Sequence, residues 1–198
     1  MNKPNFKKLN LRTEKLLGLL MATLGLMAVL LVSNYGFSQE PSPTKYQVEA
    51  IFLFNFAKYV DWPAAAFPNT NAPITIGVLG TDPFGDSLQN AVEGKVINGR
   101  SFTIIHLVSD SDLNGCQILF VSDSEASRMD EILEKAGVLP VLTVGEDKPF
   151  ARNGGIINFV LKNGNVRLEI DLAAAKKAGL TLSSKLLAVA DVVEGKIN

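Results

Sequence analysis

One cysteine and one histidine occur in 198 residues, and their scarcity removes whole classes of chemistry. Cys116 has no partner in the chain, so an intramolecular disulfide is excluded. At the head of the apolar run to Val121 it reads as a small buried hydrophobe, the usual place of a free thiol. A reactive thiol or an intermolecular bridge is the other reading, in an oxidising compartment. His106 lies inside the apolar run Thr103–Val108 and reads as a satisfied strand residue rather than a catalyst. One histidine and one cysteine cannot assemble the usual zinc ligand sets. A G-x-S-x-G nucleophile elbow is also missing, and Ser183-Ser184 stands beside no evident base. Gly80-Thr-Asp-Pro-Phe-Gly85 sits where an α/β protein would carry a phosphate loop, but it matches neither glycine-rich motif. Pro83 removes a backbone N–H, Asp82 would repel phosphate, and a tight turn with a helix cap is the simpler reading. The carboxylates are scattered: Asp110 and Asp112, Glu146 and Asp147, Glu169 and Asp171. Asp110-Ser-Asp112 lacks the later glycine and glutamate of a calcium loop. These absences point away from an enzyme and from any cofactor.

What is present begins with a leader. Lys3, Lys7, Lys8, Arg12 and Lys15 precede an uncharged apolar run from Leu16 to Val32, and Gly36-Phe-Ser38 then offers a small-residue exit. This order marks a secretory signal, with cleavage expected after Ser38. The apolar run sits at the lower limit for crossing a bilayer, where about 20 residues are usual, so an uncleaved N-terminal anchor is the alternative. Either reading places the remainder outside the cytoplasmic membrane. Residues 1–38 hold 5 of the 19 basic and 1 of the 20 acidic side chains, leaving 14 against 19, a net charge of −5. Such a domain has no basic footprint for nucleic acid.

Residues 39–44 form a short Pro/Ser linker, and residues 45–195 are enough for one domain with one core. The apolar pattern predicts a helix over Tyr46–Trp62, ended by Pro63. Strands are predicted at Ile74–Leu79, Ser101–Val108, Gln117–Val121 and Val141–Val144. Helices are predicted from Asp82 to Val92 and from Ser124 to Ala136, the second stopped by Gly137. Ile156–Lys162 and Asn165–Ile170 read as a hairpin around Asn163-Gly164, which favours the positive φ pair of a type I′ turn. Two further helices follow, near Asp171–Ala178 with Asp171 as N-cap, and over Ser183–Val193. The order implies an α/β fold: a mostly parallel sheet with helices on both faces and a C-terminal hairpin as an antiparallel edge.

With chemistry absent, recognition remains. Phe54, Tyr59, Trp62, Phe67 and Phe84 are the large aromatics of the first helix and the turns that follow. Core packing is the plain reading of each, whereas Trp62-Pro63 and Phe67-Pro68 lie in a loop, where aromatics more often mark a contact surface. Arg152 and Arg167 are either surface ion-pair partners or holders of a carboxylate on a partner or ligand.

Several stretches in order resemble the YfiR family of periplasmic signalling regulators. They are Asn55-Phe56-x-x-Tyr59-x-x-Trp62-Pro63, Ile76-Gly-Val-Leu-Gly80-x-Asp82-Pro-Phe-Gly85, Cys116-x-Ile118-Leu-Phe-Val-Ser122 and Pro140-Val-Leu-Thr-Val-Gly145. Gly154-Gly155-x-Ile157-x-Phe159, Arg167-x-Glu169-Ile170 and Gly179-Leu180-x-Leu182-Ser183-Ser184-x-Leu186-Leu187 complete the pattern. The resemblance implies a single exported domain, a sheet of about six strands flanked by helices, often dimeric. It also implies inhibition of the periplasmic sensor of a membrane diguanylate cyclase, lowering cyclic-di-GMP. Some members carry cysteine pairs, which this chain with Cys116 alone departs from. A sensor histidine kinase is the alternative partner. A small solute held near Gly80–Gly85 and the Arg152 loop is the alternative function.

Overall fold

The computed structural model describes residues 42–110, 113–146 and 149–195. The leader and most of the linker lie outside the described residues, as do Asp112 and Asp147. The first described helix, α1 (Lys45–Tyr59), opens with a capping box: Thr44 and Gln47 each receive the other's backbone N–H on a side-chain oxygen. It ends at Tyr59 rather than Trp62, a correction with a tertiary cause. Val60–Asp61 leave the helix as β1 to pair with β8 (Thr181–Leu182), and Ser183 N–H bonds the Tyr59 carbonyl at 2.8 Å.

The main sheet runs β3-β2-β4-β5-β6-β7-β9. Its strands are β2 (Ile74–Leu79), β3 (Phe102–Leu107), β4 (Ile118–Val121), β5 (Leu142–Gly145), β6 (Ile157–Lys162), β7 (Asn165–Asp171) and β9 (Ala190–Val193). The pairs from β3 through β6 are parallel, β6–β7 is the antiparallel hairpin, and β9 is parallel to β7. Asn163 and Gly164 hold φ of 53° and 77°, as the turn type requires. One more strand than the hairpin supplies therefore closes this side of the sheet. Ser183–Val193, expected as a single helix, splits into α5 (Ser184–Leu187) and β9. Val189, Val192 and Val193 favour extended backbone, and the outer edge of β7 offers the ladder.

Alternation along the strands sorts the core into two layers. Ile76, Val78, Ile118, Phe120, Leu142 and Val144 face α1 and α2 (Asp86–Val92), meeting Leu53, Phe56 and Leu88. Leu79, Leu119 and Val121 face α3 (Met129–Ala136) and meet Ile132, Leu133 and Phe150. Two helices start later than their sequences suggest. Asp82 takes the Phe84 N–H on Oδ1 at 2.7 Å, closing a local turn, so α2 begins only at Asp86. Asp123–Arg128 winds as a 3₁₀ segment before α3, with Ser122 as its cap. Asp171 caps α4 (Leu172–Lys177) as expected, accepting from the N–H groups of Ala173 and Ala174.

Candidate functional site

The aromatic residues singled out by sequence fall into two places. Phe54 and Phe67 come together over Ala57, Ile74 and Ile97, with Phe102 beside them. Phe54 lies 5.4 Å from Phe102 between ring centroids. A cation stands over each of the pair: Lys58 Nζ at 4.5 Å from the Phe54 ring and the Arg100 guanidinium at 3.8 Å from the Phe67 ring. Tyr59 and Trp62, half-buried, pack on the main core. Phe84 differs. It is buried between Tyr46 and Phe120, edge-on to both, and is a core residue rather than a contact residue.

The loop carrying Trp62 and Phe67 is held from below by Gln117. Its backbone carbonyl accepts the Trp62 indole N–H at 3.0 Å, and its side-chain amide donates to the Ala66 carbonyl at 2.6 Å. The same amide oxygen accepts the Thr75 N–H at 2.8 Å, so one buried side chain fixes loop and strand together. Arg100 donates to the carbonyls of Asn69 and Ala72, fastening the far end of the loop. Neither Gln117 nor Arg100 is picked out by sequence alone. A lone polar residue entering an apolar strand is the signal that could have found Gln117.

Arg152 and Arg167 do not join the aromatic group. Both are exposed, Arg152 in the crossover from β5 to β6 and Arg167 on β7. The Gly80–Gly85 turn, at the C-terminal ends of the strands, is packed shut: Thr81 N–H bonds Ser124 Oγ at 2.9 Å. A Cβ on Gly80 would fall 2.4 Å from that oxygen, so position 80 admits no side chain, whereas Gly85 at the far end of the turn faces open space. A cleft of about 660 Å³ instead opens at the other end of the sheet, between α3 and α4. Leu133, Val141 and Ile156 give it apolar walls, Asp130 and Glu134 line one side, and Lys177 lines another.

His106 is exposed rather than interior, and its Nε2 meets Asp82 Oδ2 at 2.7 Å. Cys116 is buried, and burial pushes its thiol up to about 11, so it stays protonated. Sequence reasoning passed over one further group. Lys45 pairs with Glu146, just beyond β5, and with Glu49 at 3.7 Å on its own helix. Glu49 is fully buried and neither of its oxygens receives a hydrogen bond in the described structure. Burial foremost, opposed by Lys45 and reinforced by Glu146 and Asp123, pushes its carboxyl up to about 7. Burial alone would lower the Lys45 ammonium, but the Glu146 hydrogen bond and the Glu49 charge hold it above its ordinary value.

Comparison with known proteins decides the family. The YfiR/HmsC-like profile matches residues 46–191. The chain belongs to this family. Its members are periplasmic regulators of diguanylate-cyclase signalling. No curated protein matches the chain. Among solved structures it is similar to a conserved domain protein from Vibrio cholerae O1 biovar El Tor, at 13% identity and a TM-score of 0.50. That match covers 75% of this chain and 60% of the other. An ABC domain from Streptococcus pneumonia, solved in complex with L-Trp, gives 12% identity, the same coverages and a TM-score of 0.50. The chain thus spans under two-thirds of both structures, and at such identities they speak for the α/β fold alone. Among the described residues no helix is long and apolar enough to cross a membrane.

Proposed function

We propose that this protein is a binding regulator, not an enzyme, that docks on the periplasmic sensor region of a membrane diguanylate cyclase and holds the cyclase inactive. The observation that carries the reading is family membership across residues 46–191. The docking face is Phe54, Tyr59, Trp62 and Phe67, with Ile51 on α1 exposed at 52% beside the same helix. Lys58 and Arg100 over two of those rings make this face apolar with cationic handles, suited to a partner segment that mixes aliphatic side chains with carboxylates. Inhibition requires tighter binding to the inactive sensor. Converting a mostly active population to a mostly inactive one needs about 10⁴-fold preference, or about 5.5 kcal/mol.

Crosslinking the tagged protein in intact cells and identifying captured membrane proteins by mass spectrometry tests this. Capture of a cyclase with a periplasmic sensor, lost with a Trp62→Ala, Phe67→Ala double variant, is expected. A sensor kinase in its place would move the reading to that class. Capture of the protein alone, under conditions that hold known weak pairs, would sink the reading and leave self-association.

A second reading is favoured by the 660 Å³ cleft between α3 and α4, a volume ordinary for a small-molecule site. A solute bound there would raise the melting temperature, and Ala174→Trp, which fills the cleft, would abolish that rise.

A further inference from the structure

Glu49 stands out among the described residues: a carboxyl with no exposed surface and no hydrogen bond, facing another carboxylate, where of the other buried polar side chains only Asn158 is also left unpaired. The groups facing it are Lys45 from its own helix, Glu146 from the segment after β5, and Asp123 from the segment after β4. Among the described residues one cation therefore serves two nearly sealed carboxylates, with Glu49 fully buried and the Glu146 side chain 3% exposed. Lys45 bonds Glu146 directly and stands off Glu49 at 3.7 Å. Among the described residues a second negative charge placed here finds only Lys45, already bonded to Glu146, and is repelled by Glu146 and Asp123. The natural state of the arrangement is one lysine, one carboxylate and one carboxylic acid.

We infer that Lys45, Glu49 and Glu146 form a proton-operated latch that holds the first turns of α1 against the C-terminal end of β5, closed while Glu49 is protonated and loosened when it ionises. The direction follows from linkage. Glu49 has a folded-state pKa of about 7, above its ordinary 4.5, so the native protein keeps a proton that the unfolded chain releases. The associated stability is complete below about pH 4.5 and drains away as pH rises through about 7. The mechanical consequence is local. Lys45 and Glu49 sit on the opening turns of α1, while Leu53 and Phe56 hold the rest of the helix in the core. Loosening the opening turns also frees Tyr46, which packs edge-on against Phe84 at 6.0 Å. This device does not depend on which partner the protein binds.

The test uses the exported protein as purified. Its carboxyl ¹³C resonances are titrated, and amide hydrogen exchange over residues 45–50 is followed at about pH 6 and about pH 8.5, corrected for intrinsic exchange. The expected result is a Glu49 midpoint near 7 and about tenfold more opening of those amides at the higher pH. Glu49→Gln, neutral at every pH, should remove the pH dependence. A Glu49 midpoint in the ordinary carboxylate range would overturn the latch, and so would equal pH dependence in the wild type and E49Q. If E49Q does not fold, Glu146→Gln supplies the same decision. With Lys45 released to Glu49, the Glu49 midpoint should fall by about one pH unit or more, and an unmoved midpoint refutes the coupling.

Discussion

Phe150 lies flat in a slot that exists because positions 145 and 155 carry no side chain. An added Cβ would come within 2.3 Å of the ring from Gly145 and 2.2 Å from Gly155, far inside contact distance. Phe150 is 1% exposed and belongs to the layer that packs on α3, so the ring has nowhere to retreat. Gly155→Ala should therefore destabilise by about 1–3 kcal/mol, the usual cost of overfilling a packed site, read as a lower denaturation midpoint at unchanged slope. Cys116 makes the complementary point. Its thiol, buried and pushed up to about 11, should resist alkylation at about pH 8 and react only as fast as the protein opens. Denaturant should accelerate that labelling in step with unfolding. A thiol that labels at once in the native state would refute the buried assignment.

At the scale of elements, the sequence is legible where the determining contacts are local. Asn163-Gly164 specifies its own turn by admitting positive φ, and Asp171 caps α4 with an oxygen two and three residues from the groups it receives. Asp171→Ala should cost about 1 kcal/mol, checked by chemical denaturation. Elements settled by distant partners were not legible. The pattern Tyr46–Trp62 is apolar enough for a longer helix, and only the presence of Thr181–Leu182 draws Val60 and Asp61 into a ladder. Ser183–Val193 carries leucines and alanines that favour a helix, while the open edge of β7 claims its second half. The candidate site divides in the same way. Trp62 and Phe67 announce themselves as loop aromatics beside prolines, but Gln117 and Arg100, which hold them in place, act through contacts that no local spacing encodes. Gln117→Ala should loosen that loop by removing two side-chain hydrogen bonds, about 1 kcal/mol each with a further cost for any buried group left unpaired. The expected readout is a red shift of the single tryptophan's fluorescence as Trp62 gains water.

For the whole molecule, the α/β class follows from element order, and the layering follows from strand alternation, with α1 and α2 on one face and α3 on the other. The regulatory reading also belongs to this scale, since it concerns a surface rather than a residue. Removing the gene should change cyclic-di-GMP only in cells that contain the partner cyclase, and restoring the Trp62→Ala, Phe67→Ala variant should leave the level unrepaired while the variant remains folded. The short ladder between β1 and β8 has a temporal consequence. It joins Val60 and Asp61 to Leu182 and Thr181, more than a hundred residues later in the chain, and Ser183 N–H bonds Tyr59 across the same seam. A chain emerging from its N-terminal side presents α1 long before the segment that fastens it. Phe54 finds Phe102 earlier, but Phe52 and Phe56 wait for Phe159, about a hundred residues on, and closing so long a loop is slow. Such an order of synthesis leaves the aromatic face of α1 exposed until its later partners arrive, and a holding chaperone would find its substrate there.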